Sequence, residues 1–211
     1  MKKEERINPL FFKGSKSNFS NSERKHMEKI VKTSGLDAQE ALRIEEIINL
    51  VIKPVEGPII GKNIYIEGRA FWDFVEVQVT PKKWKDNELK GVMYHEMCHV
   101  ARMSFKKRKA TILEKVFNEG LAATFQFLYV PDFKPPYFTY QLGNIRKWLP
   151  RLKKEMNMPG YEGKFWRDTW RAYSLGIYLI REINTHYPEL NHAALVKKSA
   201  KDLLKLAKVK M

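Results

Sequence analysis

The sequence predicts an α+β fold, mostly helical, in which a small antiparallel or mixed sheet precedes a helical bundle. Three observations carry this. Phe74-Val75-Glu76-Val77-Gln78-Val79 alternates strictly, valines to one face and Glu76 and Gln78 to the other, as a half-buried strand does. From Asp86 onwards apolar residues recur at helical spacing almost throughout. At 211 residues and 44% hydrophobic, with Phe 12, Tyr 9 and Trp 5, the chain can bury one substantial core.

The elements follow in order. Residues 1–20 are polar, with Gly14 and several Ser and Asn, and read as a flexible lead-in to a single domain over 21–211. Ser20 or Ser22 caps a helix running to about Thr33 and stopped at Gly35. Asp37 begins a second helix with Leu42, Ile44, Ile47, Ile48 and Val51 as its apolar positions, ending before Pro54. Strands are expected at Pro58-Ile59-Ile60-Gly61, Asn63-Ile64-Tyr65-Ile66 and Phe74–Val79, placing the sheet-containing part at about 55–80. The helical part, about 86–211, holds helices near 86–105, 109–129, 137–156, 165–186 and 191–208. Pro150 kinks or breaks the third of these, and Pro131, Pro135 and Pro136 punctuate the gap before it.

One cysteine, Cys98, leaves no internal disulfide framework. The apolar run Pro9-Leu10-Phe11-Phe12 is far too short for a secretory leader, and no uninterrupted apolar stretch approaches bilayer length. A soluble, cytoplasmic protein is the expectation. Lys+Arg 39 against Asp+Glu 24 gives a net charge of +15, which attracts acidic partners, nucleic acid or an anionic membrane surface through long-range fields. The cations are scattered, with no RNA-binding signature between them, and a lysine-rich solvated surface is the plain alternative.

Chemistry concentrates in Tyr94-His95-Glu96-Met97-Cys98-His99-Val100. His95 and His99 are four apart, so one helical turn carries both imidazoles on one face, as tetrahedral zinc requires. Glu96 projects beside the metal, where a carboxylate can take a proton from an attacking water. A catalytic site needs a third protein ligand and one open position. Glu119, with nineteen residues between it and His99, lies on the next helix amid apolar neighbours. Gly120, Ala122 and Ala123 are small enough to let two helices approach. The turn between the helices falls at Lys106-Lys107-Arg108-Lys109. Glu114, His186 and His192 are weaker ligand candidates, and Cys98 reads as a small apolar residue rather than a fourth ligand.

HExxH followed at this spacing by Asn118-Glu119 resembles the gluzincin, or thermolysin-like, clan of zinc metallopeptidases. More narrowly, Glu119-Gly120-Leu121-Ala122 resembles a family of predicted zinc-dependent proteases known mainly by a domain of unknown function. The clear match covers about 93–125 and a looser one reaches Tyr173-Ser174-Leu175-Gly176. The resemblance implies a zincin-like fold, Zn2+ held by His95, His99 and Glu119, Glu96 as general base, and a peptide or protein substrate. It also implies a sheet edge that receives extended substrate, here Glu67 to Val79 including Ala70-Phe71-Trp72, and Tyr173 as oxyanion donor. Arg171 and His186 are alternatives for that last role, and a core tyrosine beside Trp166, Trp170 and Tyr178 is the plain one. The chain departs from the family pattern at Cys98, where a further histidine is expected, and from some gluzincins at Ala123, where an acidic residue stands.

Overall fold

The computed structural model describes residues 6–14, 17–59, 63–72, 74–103, 111–135, 138, 142–160 and 169–210. It is an α+β protein with one four-stranded mixed sheet among the described residues. The chain divides into two compact units, Met1–Ser104 with Gln126–Phe133, and Phe105–Phe125 with Lys134–Met211.

The first unit begins with strand β1 (Ile7–Phe11), helix α1 (Asn21–Leu42) and strand β2 (Ile48–Pro54). Strands β3 (Ile66–Ala70) and β4 (Phe74–Val79) then lead into α2 (Asp86–Met103). Sheet order is β1-β2-β4-β3, with β2 parallel to both neighbours and β3 antiparallel to β4. Two parallel neighbours cannot be joined by a tight turn, so β1 and β2 need the crossover that α1 supplies. Ile48, Leu50, Ile52 and Pro54 are buried on one face of β2, and Val75, Val77 and Val79 on β4, the valine face the alternation foretold.

Three expectations for this region are corrected. Residues 7–11, read as lead-in, are a strand, and Ile7 is 1% exposed. The helix does not stop at Gly35. It runs on to Leu42, and the missing side chain at Gly35 makes room for Ile7: a Cβ there would lie 3.0 Å from Ile7 Cδ1. Arg43, in the left-handed region at φ 56, ends it, and Ile48 to Val51, read as helix, are strand. Ser20 does cap α1, with Glu23 closing a capping box. Of the two expected early strands, Ile60 and Gly61 lie outside the described residues, while Ile59 N–H donates to Ile64 O at 2.7 Å and regular strand begins at Ile66.

Helix α3 (Ile112–Tyr129) gives Ile112–Phe125 to the second unit and its last turn to the first. The second unit continues with α4 (Leu142–Glu155), α5 (Thr169–His186), α6 (His192–Leu195) and α7 (Ala200–Ala207). Amides at the start of α3 are satisfied by the segment after α4: Ile112 N–H donates to Met158 O at 3.0 Å and Leu113 N–H to Met156 O at 3.1 Å. Helix α4 continues through Pro150, which is exposed and loses its bond on the solvent side. The expected last helix is two, because Ser199 caps a new start for α7. The basic turn at 106–109, the starts of the third and fourth expected helices, Pro136 and Trp166 lie outside the described residues. No described helix is long and apolar enough to cross a membrane.

Candidate metal centre

Helix α2 is fixed at its start by α1. Glu23 Oε1 accepts the Lys82 N–H at 2.9 Å and the Trp84 indole N–H at 3.4 Å, and His26 Nε2 lies 2.9 Å from Asp86 Oδ1. The buried stripe Leu89, Met93, Met97 and Val100 anchors α2, and it packs on α1 and β3. Tyr94 points toward α1: its hydroxyl donates to Asp37 Oδ2 at 3.4 Å and its ring stacks on Tyr129 at 4.4 Å. Burial, reinforced by the Asp37 carboxylate, pushes the Tyr94 phenol well above its usual range, so it stays protonated. Cys98, 1% exposed, is core, as its sequence position suggests.

His95 and His99 share one face of α2, and their rings meet edge to face. Two nitrogens each about 2.05 Å from a tetrahedral zinc are separated by about 3.3 Å. The Nε2 atoms of His95 and His99 are 3.2 Å apart. The pair is therefore pre-formed for the ion. The ligand atoms of His95, His99 and Glu119 all lie within 4.8 Å of one another, a group able to hold a metal. Oε2 of Glu119 is shielded from solvent. Of the other candidates, Glu114 sits in the first turn of α3, its N–H donating to Thr111 Oγ1, and joins no such group among the described residues.

Glu96, 6% exposed, lies against β3. A Cβ on Gly68 would run into Glu96 Cγ and stand 2.6 Å from Glu96 Oε1 and 2.7 Å from Val92 Cγ1. Gly68 is the site residue that sequence reasoning passed over. Its signal was available, since a glycine inside a strand marks a close approach.

In the second unit, α3 and α5 touch backbone to backbone. A Cβ on Gly120 would stand 2.6 Å from Gly176 Cα, and one on Gly176 would stand 2.7 Å from Gly120 Cα. Gly176 thus serves helix packing, directly beside Glu119. Tyr173, half-buried one turn earlier on α5, meets Trp170 edge to face at 5.9 Å. Arg171 lays its guanidinium 5.8 Å from the Trp148 ring, and His186 is exposed at the far end of α5. His192 is no ligand in this group. Its Nε2 lies 3.1 Å from Thr124 Oγ1, Phe125 is 5.3 Å away, and the Leu121 backbone accepts from it. Burial pushes its imidazole down to about 4, so it is neutral while it braces the turn of α3 after Glu119.

A family model of predicted Zn-dependent proteases (DUF2268) matches residues 25–164, well over half of the chain. The chain belongs to this family. The matched span of this DUF2268 member begins in the second turn of α1, includes the sheet strands β2 to β4, both His95 and His99, and Glu119, and ends before Tyr173. No curated protein and no solved structure matches the chain. Zinc dependence, which the family description states, fits the donor set found here: two imidazoles at the tetrahedral spacing and a carboxylate.

Proposed function

We propose that this DUF2268 protein is a zinc metallopeptidase of gluzincin type in which Glu96 is the general base. His95, His99 and Glu119 would hold the ion. The observation that carries the reading is the conjunction on α2: a histidine pair 3.2 Å apart, with a buried carboxylate next in sequence pressed against Gly68 of an edge strand. Zinc, when bound, polarises the scissile carbonyl and makes a neighbouring water more acidic.

The chain's own residues do the rest. β3 ends the sheet order, so an extended peptide can add to its outer edge by main-chain hydrogen bonds. Contact between Glu96 and the Gly68 backbone sets the carboxylate beside that path. As the water oxygen bonds to the carbonyl carbon, Glu96 accepts a water proton. It then gives that proton to the leaving nitrogen as the C–N bond breaks. Tyr173 donates to the developing oxyanion, a role supported by the Gly120–Gly176 contact that carries α5 alongside Glu119. Arg171 and His186 suit the role less well, being engaged with Trp148 and placed at the helix end.

The test pairs metal analysis with turnover. Purified protein should contain one zinc, lost in His95→Ala and His99→Ala. Glu96→Gln should keep the zinc and lose cleavage of a mixed peptide library. Stoichiometric zinc with cleavage unchanged in Glu96→Gln would overturn the role of Glu96, and no cleavage by wild type would overturn the peptidase.

A further inference from the structure

The charge of this protein is unevenly placed. Residues 1–104 and 126–133 carry 18 Lys and Arg against 16 Asp and Glu, whereas 105–125 and 134–211 carry 21 against 8. Nearly all of the +15 therefore belongs to the second unit, and the peptidase chemistry described above makes no use of it.

Helix α4 shows this excess at its densest. Ile145, Leu149 and Leu152 face the core, and Arg146, Lys147, Arg151, Lys153 and Lys154 are all exposed, with Glu155 the one acid of the helix. Lys147, Arg151 and Lys154 follow i, i+4, i+7 spacing and so line one stripe of about 10 Å. Repulsion along such a stripe is unfavourable in isolation and is relieved by a dense anionic partner. Two apolar side chains flank the cations: Leu142, 63% exposed one turn before Arg146, and Met158, 38% exposed just past the helix. Trp148, half-buried beneath Arg171, is not displayed as a base-stacking platform.

Cations on a helix face flanked by exposed aliphatic side chains match a lipid headgroup layer, which offers both phosphate charge and apolar depth. A nucleic-acid backbone would use the charge and leave Leu142 without a role. We propose that the exposed face of α4 docks this protein on the surface of an anionic phospholipid bilayer.

The experiment is sedimentation with vesicles of phosphatidylcholine containing about 30 mol % phosphatidylserine, against phosphatidylcholine alone. Wild type should bind only the anionic vesicles, and raising salt to about 0.5 M should release it. Lys147→Glu/Arg151→Glu/Lys154→Glu should lower the partition coefficient by about a hundred-fold or more, since each cation near such a surface contributes about fivefold. A control with equal charge change on exposed residues of the first unit, Lys25→Glu/Lys29→Glu/Lys90→Glu, should lose less than about five-fold. Leu142→Ser, which leaves charge and the helix face intact, should lose several-fold and covers the case in which the triple variant fails to fold. Glu96→Gln should bind as wild type does, which separates this result from the fate of the peptidase reading. Absence of binding to the anionic vesicles, binding to duplex DNA alone, or equal losses in the α4 and control variants would each overturn the proposal.

Discussion

Gly68 leaves no room for a side chain against Glu96: the position a Cβ would occupy is 2.6 Å from Glu96 Oε1. The strand backbone and the carboxylate define each other's place, and under the proposed mechanism this bears on catalysis. Gly68→Ala should push Glu96 out of line and lower kcat by about a hundred-fold. Zinc content should stay unchanged, because Glu96 is not among the grouped ligands His95, His99 and Glu119. Metal analysis beside single-turnover kinetics checks this, and a variant with normal kcat would show that Glu96 needs no such wall.

The contact of Gly120 with Gly176 is backbone on backbone, so no flexible side chain can yield. Gly176→Ala should cost about 3 kcal/mol or more, the upper range for overpacking. Since Gly120 follows Glu119, zinc affinity should fall with it. Denaturant unfolding and a competitive zinc titration read the two effects, and wild-type values in both would refute the packing account.

His192 ties stability to pH. Its folded value of about 4 is below the unfolded 6.5, so the unfolded chain binds the proton more readily. The contribution is therefore complete above pH 6.5, falls as pH drops through the window from 6.5 to 4, and is gone below it. At pH 5 the loss is about 2 kcal/mol relative to pH 7. His192→Gln, which keeps a partner for Thr124 but cannot titrate, should lose about that much less between the two pH values in urea unfolding.

Removing the metal should weaken the fold as well as the activity. A ligand bound at a thousand times its Kd contributes about 4 kcal/mol, so chelation should lower Tm by on the order of 10 °C. The same treatment should leave His99→Ala unmoved. Equal Tm values for wild type with and without chelator would remove the stabilising role of the ion.

How far the sequence alone led can be seen residue by residue. The closeness of His95 to His99 was legible because their relation is local, one turn of one helix. The valine face of β4 was legible for the same reason, a period of two within six residues. β1 and β2 were not. Ile44, Ile47, Ile48 and Val51 satisfy helical spacing, while Ile48, Leu50 and Ile52 satisfy strand spacing, and pairing with residues distant in sequence, Ile7–Phe11 on one side and Phe74–Val79 on the other, decides between them. Gly35 misled for a related reason, since the cause of a glycine inside α1 is Ile7 packing on it from β1.

The placement of β1 has a practical consequence. Along Ile48–Ile52 its hydrogen bonds cap one edge of the sheet, with Asn8 Nδ2 donating to Asn49 Oδ1 at 3.1 Å across the pair. A recombinant version trimmed to begin at α1 would leave the β2 ladder open, with alternating Leu50 and Ile52 beside unsatisfied amides. Such a bare rim recruits strands from other molecules, so the shortened protein should precipitate or self-associate where the full chain stays dispersed.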